Sequence, residues 1–251
     1  MTGLAAATAL SLRGQKVTIL EASDRPGGRI QRLTRHGDSV EAGAQGIHSN
    51  YTEMLGLVEH AGLRGDLMPL DGKVSYLDRN GASRIPNGNL GITSLMNGRG
   101  VRDLSWFVAR YLALARRYPQ FEIVRDLPAY DNISVEEALN WAGSDFRDYI
   151  LHPMMHAMTN TALEFTNLYH MLNSTKLELT TKVFGLRTGI VTLAERLASK
   201  LEVRYESPVL KILSSGRKVD GVLLDSGETI KCDHVIAACL LMFPLEFYLQ
   251  N

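Results

Sequence analysis

Glu21, Arg25, Gly27, Gly28 and Arg29 fall within one nine-residue stretch, EASDRPGGR. These residue types suit the holding of a phosphorylated nucleotide rather than the breaking of a bond. A carboxylate can accept both hydroxyls of a ribose, glycines let the backbone approach a ligand closely, and an arginine presents a fork of donors to phosphate oxygens. Gly3 precedes Glu21 by 18 positions (21 − 3), near the spacing of about 20 between a dinucleotide fold's glycine turn and its ribose-binding acid. A helix that opens on glycine turns bare N–H groups and the positive end of its dipole toward a pyrophosphate.

Those residues need a helix and a strand to position them. Residues 4–13 form an alanine- and leucine-rich run bounded by Gly3 and Gly14, with Leu4, Ala7, Leu10 and Leu12 as its apolar stripe. The spacing predicts a helix whose small alanines lie close on a sheet. Val17, Ile19 and Leu20 then read as a parallel strand covered on both faces, ending in Glu21. After the glycine pair come a polar turn, His36-Gly37-Asp38, and the segment VEAGAQG containing Gly43 and Ala44.

Glycine, helix, strand, Glu21-Ala22 and the turn Arg25-x-Gly27-Gly28-Arg29 together resemble the FAD-dependent flavin amine oxidases and protoporphyrinogen oxidases. The resemblance continues in order through VEAGAQGIHSNY, LVEHAGL, GLRTGIVTLAERLA and DHVIAAC, so it covers most of the chain. It implies an FAD cofactor and an α/β fold: a Rossmann-like FAD-binding domain of the GR2 type, with an inserted, mainly helical substrate domain. The implied FAD contacts are Gly3, Glu21, Ala22, Arg25, Gly27, Gly28, Arg29, Gly43, Ala44 and Val209. The Gly27-Gly28-Arg29 turn would follow the pyrophosphate and ribityl chain, Gly43-Ala44 would pass near the isoalloxazine ring, and the Val209 backbone would meet the adenine. The implied activity is oxidation of a C–N bond or a ring C–H bond, with an amine, a tetrapyrrole or a polyene as substrate. It names no catalytic residue and no metal.

The family's G-x-G-x-x-G fingerprint follows a first hydrophobic strand, whereas this sequence starts Met1-Thr2-Gly3 and holds only the third glycine. Family members also continue well past the VIAAC position. The expectation is therefore a flavoprotein shortened at both ends, lacking the first strand. About five doubly buried residues at roughly 1.5–3 kcal/mol each would remove on the order of 10 kcal/mol, against a net domain stability of about 5–15 kcal/mol. The alternative to an oxidase is then an inactive fragment that serves at most as a partial nucleotide-binding or partner-complementing module.

The later chain sets the domain boundaries expected: residues 1–70 and 183–251 for the FAD domain, 71–182 for the substrate domain. Residues 51–62 read as a core helix capped by Gly62, and KVSYLDRNGASRI as a hairpin turning at Asn80-Gly81. Residues 103–121 give the clearest amphipathic helix, with Trp106, Phe107, Arg110, Tyr111, Leu114, Arg116 and Arg117. Its mixture of aromatic and basic residues fits charged chains snorkelling at the edge of a buried face, and leaves peripheral membrane contact open. Ser134 to Glu137 carries a capping-box pattern. His152 and His156 lie one helical turn apart without a third ligand nearby, so a core or pocket lining is expected, with His156 or His170 facing substrate. Leu193, Leu197 and Leu201 mark a helix leading to a strand at 203–205. A hairpin at 218–231 and a strand at 236–238 complete the pattern.

Composition excludes several classes. Lys plus Arg and Asp plus Glu number 27 each, so no net field draws the 251-residue chain to nucleic acid. Apolar residues make up 45% and charged ones 22%, as in ordinary globular domains. No apolar run reaches about 18 residues, and no basic segment precedes the first helix as a signal would need. A cytoplasmic setting follows as the default, and self-association stays open. Cys232 and Cys239 have no paired-spacing signature and read as buried thiols. The run from Cys239 to Leu249 is apolar beyond what a soluble terminus needs.

Overall fold

The computed structural model describes residues 1–70, 75–77, 81–86, 90–118, 127–216 and 218–239. The chain divides into two compact units, Met1–Leu70 with Val183–Asn251, and Asp71–Lys182. Each has its own core.

In the first unit, helix α1 (Thr2–Ser11) leads to strand β1 (Thr18–Leu20). Leu4, Ala7 and Thr8 are buried, and the Thr8 hydroxyl donates to the Leu4 carbonyl at 2.7 Å. Leu12, expected on the buried stripe, is 68% exposed because the helix ends before it. Gly14 then turns the chain at φ +75°. Hairpin β2 (Arg32–Arg35) and β3 (Asp38–Glu41) closes at His36 and Gly37, whose φ values of +54° and +91° supply the left-handed pair that a tight turn requires. Strand β4 (Ile47–His48), helix α2 (Thr52–His60) and strand β5 (Leu67–Pro69) follow. Gly62 stops α2 with φ +75°, the expected cap.

The second unit opens on hairpin β6 (Tyr76–Leu77) and β7 (Ser83–Arg84), with Gly81 at φ +80°; the turn residue Asn80 lies outside the described residues. Helix α3 runs Gly98–Arg117, five residues earlier than the Asp103 start expected from its pattern. Asn97 is the cap: its side chain accepts from Gly100 N–H at 2.9 Å. Asp103 is instead buried inside the helix, 2% exposed, where it accepts from Gly143 N–H at 2.9 Å and pairs with Arg102 at 2.9 Å. Residues 119–121 of the expected helix lie outside the described residues. On α3, Phe107 and Tyr111 are buried, while Trp106, Arg110, Arg116 and Arg117 face solvent. No described helix is long and apolar enough to cross a membrane.

Short helices α4 (Pro128–Asp131), α5 (Val135–Ala138) and α6 (Ser144–Phe146) follow, then a π-helical turn at Arg147–Leu151 and helices α7 (His152–Thr159) and α8 (Leu168–Thr180). Ser134 caps α5 by accepting from Glu137 N–H at 3.1 Å. Phe146, Val135, Leu151, Met155, Leu163 and Met171, all fully buried, make this unit's core.

Strand β8 (Val183–Leu186) returns to the first unit between β4 and β5, antiparallel to both. Helix α9 (Val191–Ala198) buries Leu193, Ala194 and Leu197 beside Leu4, Ile30 and Val58. Strand β9 (Glu202–Arg204) pairs parallel with β1, matching Thr18 to Glu202 and Leu20 to Arg204. β1 is half-buried rather than covered on both faces, with Thr18 exposed and β9 as its strand partner among the described residues. Strands β10 (Val209–Ser215), β11 (Lys218–Leu224) and β12 (Thr229–Lys231) form an antiparallel sheet that turns at Gly227, φ +84°. Residues 236–238, expected as a strand, are irregular and Ile236 is 61% exposed. Cys232 is half-buried and Cys239 exposed, with no disulfide between them, so the expectation of buried thiols does not hold. The rest of the apolar run after Cys239 lies outside the described residues.

Candidate functional site

Glu21 continues β1 past its last paired residue. Its N–H donates to the Arg204 carbonyl at 3.0 Å, and its own carbonyl accepts from Ser207 N–H at 2.9 Å. Glu206 N–H reaches the Ser23 carbonyl at 3.0 Å, with Glu206 at φ +49°. The chain after β9 is thereby laced against the chain after β1. The Glu21 carboxylate is held on one oxygen only. Ser23 N–H donates to Oε1 at 3.0 Å, and the Ser23 hydroxyl sits between Oε1 at 2.9 Å and the Arg25 carbonyl at 2.8 Å. Oε2 has no protein partner among the described residues.

Arg25 folds back on its own loop. Its guanidinium donates to the Ile30 carbonyl at 2.9 Å and to the Gly28 carbonyl at 3.2 Å, so it clamps the glycine turn, a role distinct from the FAD contact that the resemblance implies. Gly27 has φ +106° and Gly28 φ +58°. A Cβ on Gly27 would stand 3.2 Å from the Ala194 Cβ of α9, whereas one on Gly28 would meet nothing within 4 Å. Gly27 is thus a packing glycine and Gly28 borders open space. Arg29 is exposed and forms no hydrogen bond or ion pair with any described residue.

The start of α1 lies in the same field. Burial, the largest influence, holds the Met1 amino group below its ordinary value, with Glu21 pulling it up and Arg29 pushing it down. The first turn of α1 has no side-chain cap, so its N–H groups are not claimed by a neighbouring hydroxyl or carboxylate. Gly3 itself faces Ala238, 3.4 Å from where its Cβ would be. The charges of Glu21 and Arg29 thus both act on the α1 terminus.

The remaining sequence candidates stand differently. Ala22 and Ala44 are exposed. Gly43 is needed by the protein itself, since a Cβ there would overlap the Arg29 carbonyl oxygen. Val209 is half-buried, pairs with Leu224, and is followed by a bulge in the β10–β11 register. His156 and His170 are exposed, and the His156 ring nitrogen Nδ1 lies 2.8 Å from the His152 carbonyl, so His156 lines no core. No group of three or more metal-ligating side chains occurs among the described residues.

Sequence reasoning missed Ser23, which orients Glu21, and Tyr205. Burial raises the Tyr205 hydroxyl's pKa, with the Glu21 and Glu195 charges adding to the rise. The signal for Ser23 was present: a serine two residues after an acid readily turns its N–H and hydroxyl back onto that acid. Tyr205 carried no local signal, because β9 reaches β1 across the inserted unit.

The fold is that of the flavin amine oxidases. A putrescine oxidase with redesigned cofactor binding superposes with a TM-score of 0.73 at 21% identity, covering 92% of this chain and 54% of that one. The chain belongs to the flavin containing amine oxidoreductase family, whose profile matches residues 1–241. Among curated relatives, putrescine oxidase of Kocuria rosea is 38% identical over 88 residues, 35% of this chain and 18% of the relative. Protoporphyrinogen oxidase 2, chloroplastic/mitochondrial, of Arabidopsis thaliana is 35% identical over 82 residues, 32% of this chain and 16% of the relative. The matched segments thus span under a fifth of the curated relatives, and the chain about half of the solved one.

Proposed function

We infer that the protein is an FAD-dependent oxidoreductase of the flavin amine oxidase and protoporphyrinogen oxidase type, removing hydride from a C–N or ring C–H centre. The observation that carries this reading is the Glu21 carboxylate at the end of β1, one oxygen held by Ser23 and the other without a partner among the described residues, in a unit that also presents the uncapped start of α1 and the Gly27-Gly28 turn. The residues fit the cofactor's dinucleotide portion. Glu21 Oε2 is open to a ribose hydroxyl, Arg29 and the α1 amides are open to a diphosphate, and Gly28 leaves room for it. FAD, when bound, supplies the two-electron acceptor. The chain binds and orients it: Ser23 fixes the carboxylate, Arg25 holds the turn in shape, and Gly43 lets the following segment lie on the Arg29 backbone.

In this reading the unit built from Met1–Leu70 and Val183–Asn251 holds the nucleotide, and the helical Asp71–Lys182 unit supplies substrate contacts. Amines are the first substrate class to screen, because putrescine oxidase is among the relatives; tetrapyrroles and polyenes follow. The test is anaerobic mixing of the FAD-loaded chain with putrescine, longer polyamines or a reduced tetrapyrrole while following flavin bleaching. Bleaching by one class assigns the substrate. A loaded chain bleached by none is a nucleotide-binding module without turnover, which overturns the oxidase reading.

A further inference from the structure

The helical unit holds a cavity lined by its own residues alone. Helices α3, α4, α5 and α8 leave a cavity of about 260 Å³ between them, at the lower end of the roughly 300–1,000 Å³ usual for small-molecule sites. Its walls are apolar and aromatic, with Phe107, Leu139, Leu172 and the Trp141 ring among them. Trp141 also lies beside the buried Phe146, the two rings nearly parallel (21°) at 6.2 Å.

Besides the Tyr111 hydroxyl and the Trp141 indole, Arg110 and Tyr130 bring polar groups to the edge of this space. Arg110, an exposed residue of α3, stands at the solvent-facing rim of the cavity and forms no ion pair or hydrogen bond with any described residue. The Tyr130 hydroxyl likewise has no such partner. On the same helix as Arg110, Arg99 and Arg102 lie within ion-pair distance of Asp103, while Arg110, Arg116 and Arg117 have no such carboxylate among the described residues, and of these three only Arg110 borders the cavity. A cation beside an apolar cavity selects an anion with an apolar body. We propose that this cavity binds a small amphipathic carboxylate, of the medium-chain or aromatic type, with its apolar body between the four helices and its carboxylate on Arg110 and Tyr130.

The charge preference is opposite to that of an amine substrate, and the site needs no flavin, so its failure and that of the oxidase reading are separable. The chain has two tryptophans. Trp106 is 58% exposed, so Trp106→Phe leaves Trp141 as the sole reporter. Decanoate, decanol and decylamine are titrated into that variant below micellar concentrations while Trp141 emission is followed. The expected result is saturable binding of decanoate at least about tenfold tighter than decanol, with decylamine weakest; tenfold corresponds to one good charge-assisted contact. Arg110→Gln should bring decanoate to the level of decanol and leave decanol unchanged. Ala138→Phe, which fills the cavity from α5, should abolish binding of decanoate and decanol alike. Equilibrium dialysis of decanoate, decanol and decylamine against the unsubstituted chain repeats the comparison without any substitution. Absence of saturable decanoate binding, equal affinity for decanol, a preference for decylamine, or binding that survives Ala138→Phe would each overturn the proposal.

Discussion

Glu21 illustrates how a residue legible in sequence acquires its meaning from neighbours that were not. Its place at the end of a strand, 18 residues after Gly3, is a matter of counting. That Ser23 holds one oxygen and leaves the other open is a matter of local backbone geometry. Glu21→Ala should weaken FAD binding about 10- to 100-fold, the loss of a hydrogen bond to a charged group being worth roughly 1.5–3 kcal/mol. Titration calorimetry with FAD measures it. Ser23→Ala, which frees the carboxylate without removing it, should have a smaller effect.

Asp103 is the structural counterpart. Burial pushes its pKa up, but the Gly143 N–H and the Arg102 and Arg99 guanidiniums outweigh that and hold it below the ordinary value. A depressed folded pKa means that the charged form stabilises the fold fully above the ordinary carboxylate range, near pH 4. That contribution disappears as the pH falls through the lower folded value. Asp103→Ala should therefore cost about 1–3 kcal/mol at neutral pH, because it leaves the Gly143 N–H unsatisfied. In urea melts its deficit relative to the unsubstituted chain should shrink below about pH 4. A deficit that stays constant to pH 2 would show that the charge contributes nothing.

At the scale of elements, the glycines of the turn separate into those the fold needs and those a ligand could use. Gly43→Ala forces a Cβ onto the Arg29 carbonyl, backbone against side chain. It should displace the Gly27-Gly28-Arg29 turn, lowering stability by about 1–3 kcal/mol and FAD affinity with it. Gly28→Ala meets no atom and bears only the left-handed backbone strain, roughly 1–2 kcal/mol. Thermal melts and FAD titration of the two variants distinguish these effects. If both behave alike, the close approach of residues 29 and 43 is not what shapes the turn.

Helices and hairpins announced themselves where one local rule sufficed. Gly62 after an apolar run gave the end of α2, and the serine before Val135 gave its cap. The reading failed where the deciding partner is distant. The amphipathic pattern starts α3 at Asp103, yet Gly143, forty residues on, holds that acid inside the helix. Residues 236–238 have the composition of a strand but no strand beside them among the described residues. Burial of β1 was overestimated for the same reason: apolar composition states what a strand would cover, and the neighbours state what it does.

At the scale of the whole molecule, the two units have separate cores, one around Leu193, Leu197 and Val58, the other around Phe146, Leu151 and Met155. The return of β8 to β4 and β5, and of β9 to β1, rejoins the chain across 112 inserted residues (183 − 71). Such long-range pairing forms slowly, and it leaves each core to respond to its own substitutions. Leu193→Ala should cost about 2–5 kcal/mol and accelerate hydrogen exchange in α1, α2 and α9. Leu151→Ala should do the same in α3 and α8. Exchange that spreads equally over both units in either variant would show a single cooperative core.

The proposed function rests on whether these residues bind FAD. The most direct measurement is the visible absorbance of the purified chain on titration with FAD, beside its Glu21→Ala variant shown by circular dichroism to be folded. The expected result is saturable one-to-one binding with a perturbed flavin spectrum, and a clear loss of affinity in the variant. A folded chain that binds no FAD, or binds it equally well without the Glu21 carboxylate, would contradict the assignment of this site.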